Sequence, residues 1–267
     1  MIKICMAGVC GRMGRRIVEL AALETDMDIG GAFDVPSNAG QEIYITDATG
    51  AQRIVIASPD PSEALAASDV LIDFTGADAC VENTCAAAAT GKPAVVGATG
   101  LTPQQVASLQ KAAADVPIVY APNMSIGVNL LFKLTKEVAA TLGLAYNVEI
   151  VETHHNQKKD SPSGTAVRLG ERAAEGLGLD WPADAVFGRE GLVGARPERQ
   201  IGVHALRGGD VVGEHTVSFI GNGERIELVH KAHNRDNFAR GALLAAKYAV
   251  QRSEPGLYDM QDVLGLK

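Results

Sequence analysis

Short apolar runs alternate with helical patterns along the first half of the chain. The apolar runs predict strands at residues 2–6, 29–33, 54–57, 70–74, 94–96 and 118–120. The stretches between them predict helices, most clearly at residues 11–23 and 77–90, and a capping-box pattern at Thr102 and Gln105 predicts another helix start. Apolar strands that alternate with helices are typical of parallel sheets covered on both faces. The first half is therefore predicted to be an α/β domain with a Rossmann-like, doubly wound parallel sheet.

After residue 126 the pattern changes. Longer helices are predicted at residues 128–142 and 164–177, with a strand at 148–153 and a loop rich in Pro, Gly and Arg at 180–200. Three β-rich runs follow, at residues 201–206, 211–220 and 225–230. Their connectors, residues 207–210 and 221–223, have the composition of hairpin turns. These features predict a second α+β domain with a mainly antiparallel sheet at 127–234. The last helix and tail, 235–267, are expected to return to the first domain, 1–126.

Composition and charge narrow the class of protein. With 46% apolar residues, 21% charged residues and a net charge of −8, the chain has the balance of a globular enzyme and lacks the basic character of a nucleic-acid binder. No run is apolar for long enough to span a membrane, and neither a signal peptide nor a membrane partner is expected. The four cysteines form no C-x-x-C pair, which favours reduced thiols and a cytoplasmic location.

A glycine-rich segment, M-A-G-V-C-G-R-M-G, lies between the first predicted strand and the first predicted helix. Small residues allow a tight turn there, and the helix N-terminus offers N–H groups to a pyrophosphate. Asp34 follows the second predicted strand, where a carboxylate can accept hydrogen bonds from ribose hydroxyls. The combination predicts dinucleotide binding rather than a purely structural turn. Because Asp34 would repel a 2′-phosphate and Val35 follows it, NADH is favoured. The nearby cations leave NADPH as an alternative; they are Arg12, Arg15 and Arg16.

Two later segments, residues 97–100 and 121–125, also follow predicted strands. In an open α/β sheet, ligands lie beyond the carboxyl ends of the strands. Position alone leaves two interpretations. These loops line the nicotinamide half of the cofactor, or they are ordinary turns between a strand and a helix.

The most unusual segment is E-T-H-H-N-Q-K-K-D-S-P-S-G-T-A, residues 152–166. As a solvated loop, it would need no function for its charges. A metal site is disfavoured, because adjacent histidines point to different sides of an extended chain. As an active site its parts fit together. Ser163 is a natural N-cap, the amides of Gly164 and Thr165 can bind a carboxylate, Lys158 supplies a cation, and a histidine can deliver a proton. This interpretation predicts reduction of a carboxylated substrate.

The same segment resembles the E-x-H-H-x-x-K-x-D-x-P-S-G-T signature of the bacterial 4-hydroxy-tetrahydrodipicolinate reductases, also called dihydrodipicolinate reductases. The signature is long and specific. The resemblance covers nearly the whole chain and includes residues 8–15, 70–75, 97–100, 121–129, 208–216 and 256–260. It implies NAD(P)H-dependent reduction of 4-hydroxy-tetrahydrodipicolinate to tetrahydrodipicolinate, with loss of water, in lysine and diaminopimelate biosynthesis.

The resemblance also implies a role for individual positions. His154 matches the proton donor and Lys158 the catalytic lysine, whereas Lys159 falls at a variable position. The substrate contacts that it implies are His155, Ser163, Gly164 and Thr165. The cofactor contacts that it implies are Gly8, Val9, Cys10, Gly11, Arg12, Met13, Asp34, Gly97, Ala98, Thr99, Ala121, Pro122, Asn123 and Met124. No metal is expected.

By the same resemblance, residues 1–126 form a dinucleotide-binding domain, and residues 127–234 bind a small dicarboxylate substrate and assemble a homotetramer. Closure of the two domains is expected, because residues distant in sequence must meet at the reaction. A basic residue often follows the acidic one in the family, and Val35 in that place again favours NADH over NADPH. The other histidines are predicted to be structural, with His215 the first to check; they are His204, His215, His230 and His233.

Two other functions are left open by the sequence. One is a different nicotinamide-dependent dehydrogenase acting on an imino or amino acid. The other is a non-catalytic NADH-binding sensor, which the intact pair of His154 and Lys158 argues against.

Overall fold

The computed structural model describes residues 1–267 and divides into two compact units. Unit 1 comprises Met1–Ile126 and Asp236–Lys267, and unit 2 comprises Gly127–Arg235. None of the helices has both the length and the apolar character needed to cross a membrane. In chain order the strands and helices are β1 (Ile2–Ala7), α1 (Arg12–Ala21), β2 (Met27–Phe33), β3 (Glu42–Thr46), β4 (Gln52–Ile56), α2 (Pro61–Ala66), β5 (Val70–Asp73), α3 (Ala77–Ala89), β6 (Ala94–Val96), α4 (Pro103–Ala112), β7 (Pro117–Tyr120), α5 (Ile126–Leu142), β8 (Asn147–His154), α6 (Gly164–Leu177), β9 (Ala185–Phe187), β10 (Ile201–Arg207), β11 (Glu214–Ile220), β12 (Arg225–Lys231), α7 (Asp236–Gln251), β13 (Gly256–Tyr258) and α8 (Met260–Val263).

Unit 1 contains a six-stranded sheet in the order β13-β7-β6-β5-β1-β2, and every pairing in it is parallel. Its central strands are buried on both faces, and all four residues of β5 are buried. The predicted Rossmann-like parallel sheet is therefore confirmed. From β1 the chain passes to β2 on one side, and later to β5 on the other. This reversal of strand order places a ligand crevice beyond the carboxyl ends of β1 and β5.

Two short segments of unit 1 differ from the prediction. The apolar run at 54–57 was expected to be a strand of the parallel sheet, but β4 pairs antiparallel with β3 in a separate two-stranded sheet. The reason lies in the alternation of this pair. Ile43 and Val55 are buried, whereas Tyr44 and Ile54 are exposed, so only one face is covered, as antiparallel pairs allow. The C-terminal segment was predicted to be a tail, but it contains β13, which pairs with β7 at the edge of the six-stranded sheet.

Unit 2 is built on a mixed five-stranded sheet in the order β12-β11-β8-β10-β9. The predicted hairpin at residues 221–223 is confirmed, since β11 and β12 pair antiparallel. The predicted hairpin at 207–210 is wrong. Strand β8 lies between β10 and β11, parallel to the first and antiparallel to the second, so the connector crosses the end of β8. Turn composition describes the connector alone and does not specify which strand pairs with each side.

Candidate active site

Strand β8 ends with two polar residues on its buried face. Side chains alternate between the faces of a strand, and one face carries Val148, Ile150, Glu152 and His154. The first two belong to the apolar core of unit 2. Glu152 is fully buried and His154 is only 8% exposed. A carboxylate and an imidazole in such a place must find polar partners inside the protein.

The Glu152 carboxylate accepts hydrogen bonds from three residues. Its Oε2 contacts Nδ1 of His154 at 2.6 Å and Nη1 of Arg207 at 2.8 Å. Its Oε1 accepts from Nη2 of Arg207 and from the backbone N–H of Ser163, both at 2.9 Å. One buried carboxylate therefore binds an imidazole, a guanidinium and the backbone N–H of Ser163, which directly precedes helix α6.

The pKa shifts define the charge state of this cluster. Burial would raise the pKa of Glu152, but hydrogen bonds from Arg207, His154 and the Ser163 amide outweigh burial and lower it. Burial lowers the pKa of His154, and the bond to Glu152 opposes this only in part. At neutral pH the carboxylate is charged and the imidazole is neutral. Because a carboxylate can only accept, Nδ1 of His154 carries the hydrogen and Nε2 keeps its lone pair.

The loop between β10 and β11 covers the end of β8. The Gly208 N–H donates to the His154 carbonyl at 2.9 Å, and the His155 N–H donates to the Val211 carbonyl at 2.8 Å. Farther along the loop, a Cβ on Gly213 would lie 3.0 Å from Nε2 of His154. The backbone thus fixes the strand end, while the missing side chain at 213 leaves the Nε2 atom uncrowded.

Helix α6 begins beside His154. As predicted, Ser163 is its N-cap, and the Ser163 Oγ accepts from the Ala166 N–H at 3.1 Å. A Cβ on Gly164 would meet no atom within 4 Å, so the first residue of the helix borders open space. Its first turn contains no acidic residue. Helix N-termini attract anions, because their N–H groups and the helix dipole point outward. This end of unit 2 is suited to a carboxylate.

His215 completes the cluster. It lies opposite Glu152 in the β8–β11 pairing, and its ring centroid is 5.2 Å from that of His154. Its Nε2 is 3.0 Å from the Ser163 Oγ. Burial, assisted by the neighbouring His154, lowers the pKa of His215 to about 3. His215 is therefore neutral and can accept the Ser163 hydroxyl hydrogen, since Oγ itself accepts from the helix backbone.

Lys158 lies in the loop that joins β8 to α6. Its Nζ is 2.9 Å from Oδ1 of Asp160, and its side chain is 19% exposed. The guanidinium of Arg207 also donates to the Asp160 carbonyl at 2.7 Å, which ties this loop to the buried carboxylate. His155 is partly exposed and Lys159 is exposed, in contrast to the buried His154. The two histidines thus have different surroundings.

In unit 1 the predicted cofactor segments follow strands of one parallel sheet. The glycine-rich loop joins β1 to α1, and the segments 97–99 and 121–124 follow β6 and β7. The loop is tightly folded. A Cβ on Gly14 would lie 2.1 Å from the carbonyl oxygen of Gly8, and a Cβ on Gly8, which has a φ of +72°, would lie 2.9 Å from Thr75 Cγ2. Parallel strands present their carboxyl ends at one edge, so all three segments lie along that edge.

Asp34 follows β2 and bonds to the glycine-rich loop. Its Oδ2 accepts from the Cys10 N–H, and its Oδ1 accepts from the Val35 N–H and from Nδ2 of Asn38, each at 2.8 Å. Burial would raise its pKa, but these hydrogen bonds from uncharged groups lower it. The carboxylate is therefore ionised at neutral pH beside the start of α1.

The two later loops are packed rather than loose. A Cβ on Gly97 would overlap the ring of Phe74, at 2.3 Å from its Cζ, and the Gly97 N–H donates to the Asp73 carbonyl. In the other loop, Asn123 Oδ1 accepts from the Ser125 N–H at 2.9 Å. Helix α7 approaches this loop closely, since a Cβ on Gly241 would lie 1.8 Å from the Met124 carbonyl oxygen. Both backbones are held in fixed positions at the sheet edge.

Family models match almost the entire chain. Residues 2–124 match the model of the dihydrodipicolinate reductase N-terminus, and residues 127–264 match that of its C-terminus. The chain belongs to the dihydrodipicolinate reductase family. Its curated relatives include the 4-hydroxy-tetrahydrodipicolinate reductases of Syntrophotalea carbinolica and Geobacter metallireducens, each 50% identical with 100% of both chains covered.

Two solved structures also have a similar fold. The dipicolinate-bound dihydrodipicolinate reductase of Paenisporosarcina sp. TG-14 superposes with a TM-score of 0.77 at 24% identity, covering 98% of each chain. The DAP dehydrogenase of C. glutamicum in complex with DAP gives a TM-score of 0.53 at 14% identity, covering 97% of this chain and 92% of that one. At these identities the likeness concerns the fold alone.

Within this reductase-family chain, three residues of the buried cluster were not predicted as site residues: Glu152, Arg207 and His215. A sequence signal existed for Glu152, because period-two alternation places it on the same face as His154 and next to apolar Ile150. No local signal existed for Arg207, and His215 was predicted to be structural, although the resemblance made it the first of those histidines to check. Arg207 and His215 reach the cluster only because their strands lie on either side of β8.

Proposed function

We propose that this chain reduces 4-hydroxy-tetrahydrodipicolinate to tetrahydrodipicolinate with NAD(P)H, in lysine and diaminopimelate biosynthesis. One substrate molecule, one reduced nicotinamide and one proton give tetrahydrodipicolinate, the oxidised cofactor and water. Family membership and the names of the curated relatives support this proposal. The observation that carries it in the molecule is Glu152, which joins the His154 imidazole and the N-terminus of α6 at one buried carboxylate.

In this proposal the substrate carboxylates bind where positive potential is available. One carboxylate accepts hydrogen bonds from the backbone at Gly164 and Thr165, at the start of α6. Lys158 neutralises the second negative charge, and the partly exposed His155 makes a further polar contact. The electrostatic attraction and the fixed helix start would hold the dicarboxylate in one orientation.

His154 is the proposed proton donor. Its lowered pKa keeps it neutral in the absence of an anion. The arrival of two carboxylates would raise the pKa, because negative charge nearby favours the imidazolium. The proton would then be carried at Nε2, since Nδ1 is held by Glu152. Substrate binding would therefore charge the acid that the reaction consumes.

The residues of unit 1 fit a nicotinamide dinucleotide, which would supply the hydride when bound. The closely packed Gly8 and Gly14 allow the backbone to approach a pyrophosphate, and Gly11 is the N-cap of α1, whose first N–H groups lie at the same edge. Asp34 would accept hydrogen bonds from the adenosine ribose. We favour NADH, because Asp34 has no cation among its hydrogen-bond partners to offset repulsion of a 2′-phosphate.

A turnover assay tests the proposal directly. Oxidation of NADH and of NADPH is followed by the loss of nicotinamide absorbance, with 4-hydroxy-tetrahydrodipicolinate as the substrate. We expect turnover with this substrate and none with a panel of other imino and amino acids. Tight NADH binding without turnover of any substrate would instead indicate a sensor.

We further propose a homotetramer in the cytoplasm. The sheet of unit 2 supports assembly, because several apolar side chains of its strands are exposed; they are Leu206, Ile220, Ile226 and Val229. Four free cysteines are consistent with a reducing compartment. Light scattering coupled to gel filtration measures the assembly, and a monomeric mass at micromolar concentration would contradict it.

A further inference from the structure

The buried cluster contains two charged residues to which the proposed reaction gives no direct task, Glu152 and Arg207. Glu152 is 0% exposed, so it cannot touch a substrate. The Arg207 guanidinium donates hydrogen bonds to Glu152 and to the Asp160 carbonyl. Burying the Glu152 charge is costly unless hydrogen bonds compensate for the lost water. The four hydrogen bonds that reach the carboxylate suggest what the pair does.

We propose that Glu152 and Arg207 are positioning residues that hold His154 in one orientation and one tautomer, at a fixed distance from the start of α6. The inference deepens the proposed function and rests on it for its kinetic consequence. Its structural content, the orientation and tautomer of His154, can be tested whatever the substrate proves to be.

The tautomer follows from hydrogen-bond chemistry. An ionised carboxylate has no hydrogen to give, so Nδ1 of His154 must donate at the observed 2.6 Å. Nε2 is then the atom that exchanges a proton with a ligand, and a side chain at position 213 would crowd it, because a Cβ on Gly213 would lie 3.0 Å away. A carboxylate that orients a histidine in this way also stabilises the imidazolium when it forms.

Arg207 holds the Glu152 carboxylate in the position that orients His154. Its two nitrogens bind both oxygens, one bond to each, which fixes the carboxylate plane. It also holds the loop that carries Lys158, through the Asp160 carbonyl. Because Ser163 donates its backbone N–H to the same carboxylate, a rotation of Glu152 would move the imidazole and the helix start together.

The charged groups with the largest effect on the pKa of His154 belong to this arrangement, as does the neighbouring His215 ring. Glu152 comes from its own strand, Arg207 from β10 and His215 from β11, while Lys158 comes from the following loop. Glu152 raises the pKa of His154, and Lys158 and Arg207 lower it, so removing the carboxylate leaves only groups that oppose protonation. His215 adds no charge at neutral pH, and His230 lies near His215 rather than near His154.

Glu152→Gln is the primary test, because it keeps the shape and removes the charge. The Gln amide nitrogen would donate to Nδ1 and reverse the tautomer. We expect kcat to fall by about 100-fold, as when an orienting partner of a catalytic group is lost. The descending, alkaline limb of the kcat–pH profile should move to lower pH, and ¹⁵N NMR of the His154 ring should change from the Nδ1–H to the Nε2–H form.

Glu149→Gln is the matched control. Glu149 lies on the same strand, on the opposite face, and binds two arginines and a histidine. This variant should keep kcat within about threefold and leave the pH profile and the His154 ring signals unchanged. Because both glutamates lie in unit 2, far-UV circular dichroism and the thermal unfolding curve report for both variants whether that unit is folded.

The outcomes separate the two proposals. A Glu152→Gln enzyme with wild-type kcat, pH limb and His154 tautomer overturns the positioning role, and so does an equal loss of kcat in Glu149→Gln. If the wild type fails to reduce the substrate, the proposed function fails, and the NMR comparison still decides the positioning role. Should Glu152→Gln not fold, Arg207→Lys replaces it. Lys keeps the charge but loses the two-nitrogen fork, so we expect kcat to fall by about tenfold and the His154 ring to show a mixture of tautomers; wild-type kcat together with an unchanged Nδ1–H form would overturn the inference.

Discussion

Strand β8 carries two glutamates that bind the same kinds of partner on opposite faces of the sheet. Glu152 binds Arg207 and His154, and Glu149 binds His204 together with Arg189 and Arg196. The Glu149 side chain is 16% exposed, and Arg189 and Arg196, together with His204, outweigh burial and lower its pKa to about 2. A cluster of Glu, His and Arg is therefore not, by itself, a sign of an active site.

What distinguishes the two clusters is the rest of their surroundings. Glu149 lies near the start of β8, and its partners come from the loop at 188–200 and from β10. Glu152 lies at the carboxyl end, where the same carboxylate also holds the N-cap of α6 and where Lys158 follows in the loop. Only the second cluster places a buried histidine beside the N-terminus of a helix whose first turn has no acidic residue. The proposed function rests on this combination rather than on the ion pair.

Substitution of the two histidines gives the largest expected contrast. His154→Gln removes the proposed proton donor, and we expect kcat to fall by about 10²- to 10⁴-fold with little change in NADH binding. His204→Gln, its counterpart at Glu149, should change kcat by less than about threefold. Steady-state kinetics and NADH titration measure both. Normal turnover of the His154→Gln variant would remove His154 from the chemistry.

The helix start can be tested separately from stability. Gly164→Asp places a negative charge in the first turn of α6, where it favours the helix, but it would repel a dicarboxylate. We expect KM to rise by about 10- to 100-fold, since an unfavourable charge contact costs a few kcal/mol, with an unchanged or higher Tm. Gln104→Asp introduces the same charge in the first turn of α4 and should leave KM unaltered. Equal KM values in both variants would exclude α6 from substrate binding.

The clusters around Glu152 and Glu149 should also differ in how their contributions to stability depend on pH. Burial lowers the pKa of His215 from 6.5 to about 3. Between these two pH values His215 is therefore protonated in the unfolded chain and neutral in the folded chain. The contribution of neutral His215 to the free energy of unfolding is therefore fully present above pH 6.5. It is lost as the pH drops toward 3, by about 1.4 kcal/mol per pH unit at most. Glu149, with a pKa lowered from 4.5 to about 2, loses its contribution only below pH 4.5. Tm measured from pH 8 to 5 should fall more steeply in the wild type than in His215→Gln. Parallel curves would contradict this account.

A third carboxylate, Asp34, extends the comparison of Glu149 and Glu152 to unit 1, and its substitution has the smallest expected effect on the kinetics. Unlike Glu149 and Glu152, it accepts only from uncharged amides, so its charge is not offset by a cation. Asp34→Asn should raise the ratio of kcat/KM for NADPH to that for NADH by about tenfold. Asp28→Asn, which removes a carboxylate of β2 that pairs with Arg53, serves as the control. A large NADPH advantage in the wild type would be the contrary result.

Much of the fold could be predicted from local patterns. The near-continuous apolar character of β5 and its neighbours predicted a parallel sheet, and the Ser163 cap and the Thr102–Gln105 capping box are both present. These features depend on residues that are close in sequence, which is why periodicity and capping chemistry identify them. The paired histidines and the lysine in one segment gave the family for the same reason, because the signature is contiguous.

By itself, the sequence determined most of the elements and the identity of the family, but it missed short strands such as β9 and β13. The tertiary structure alone decided that β8 lies between β10 and β11, where a hairpin at 207–210 had been predicted. That insertion brings Arg207 and His215 to Glu152. The physical reason is that alternation specifies which face a side chain occupies, whereas strand neighbours are chosen by backbone hydrogen bonds and packing between segments distant in sequence.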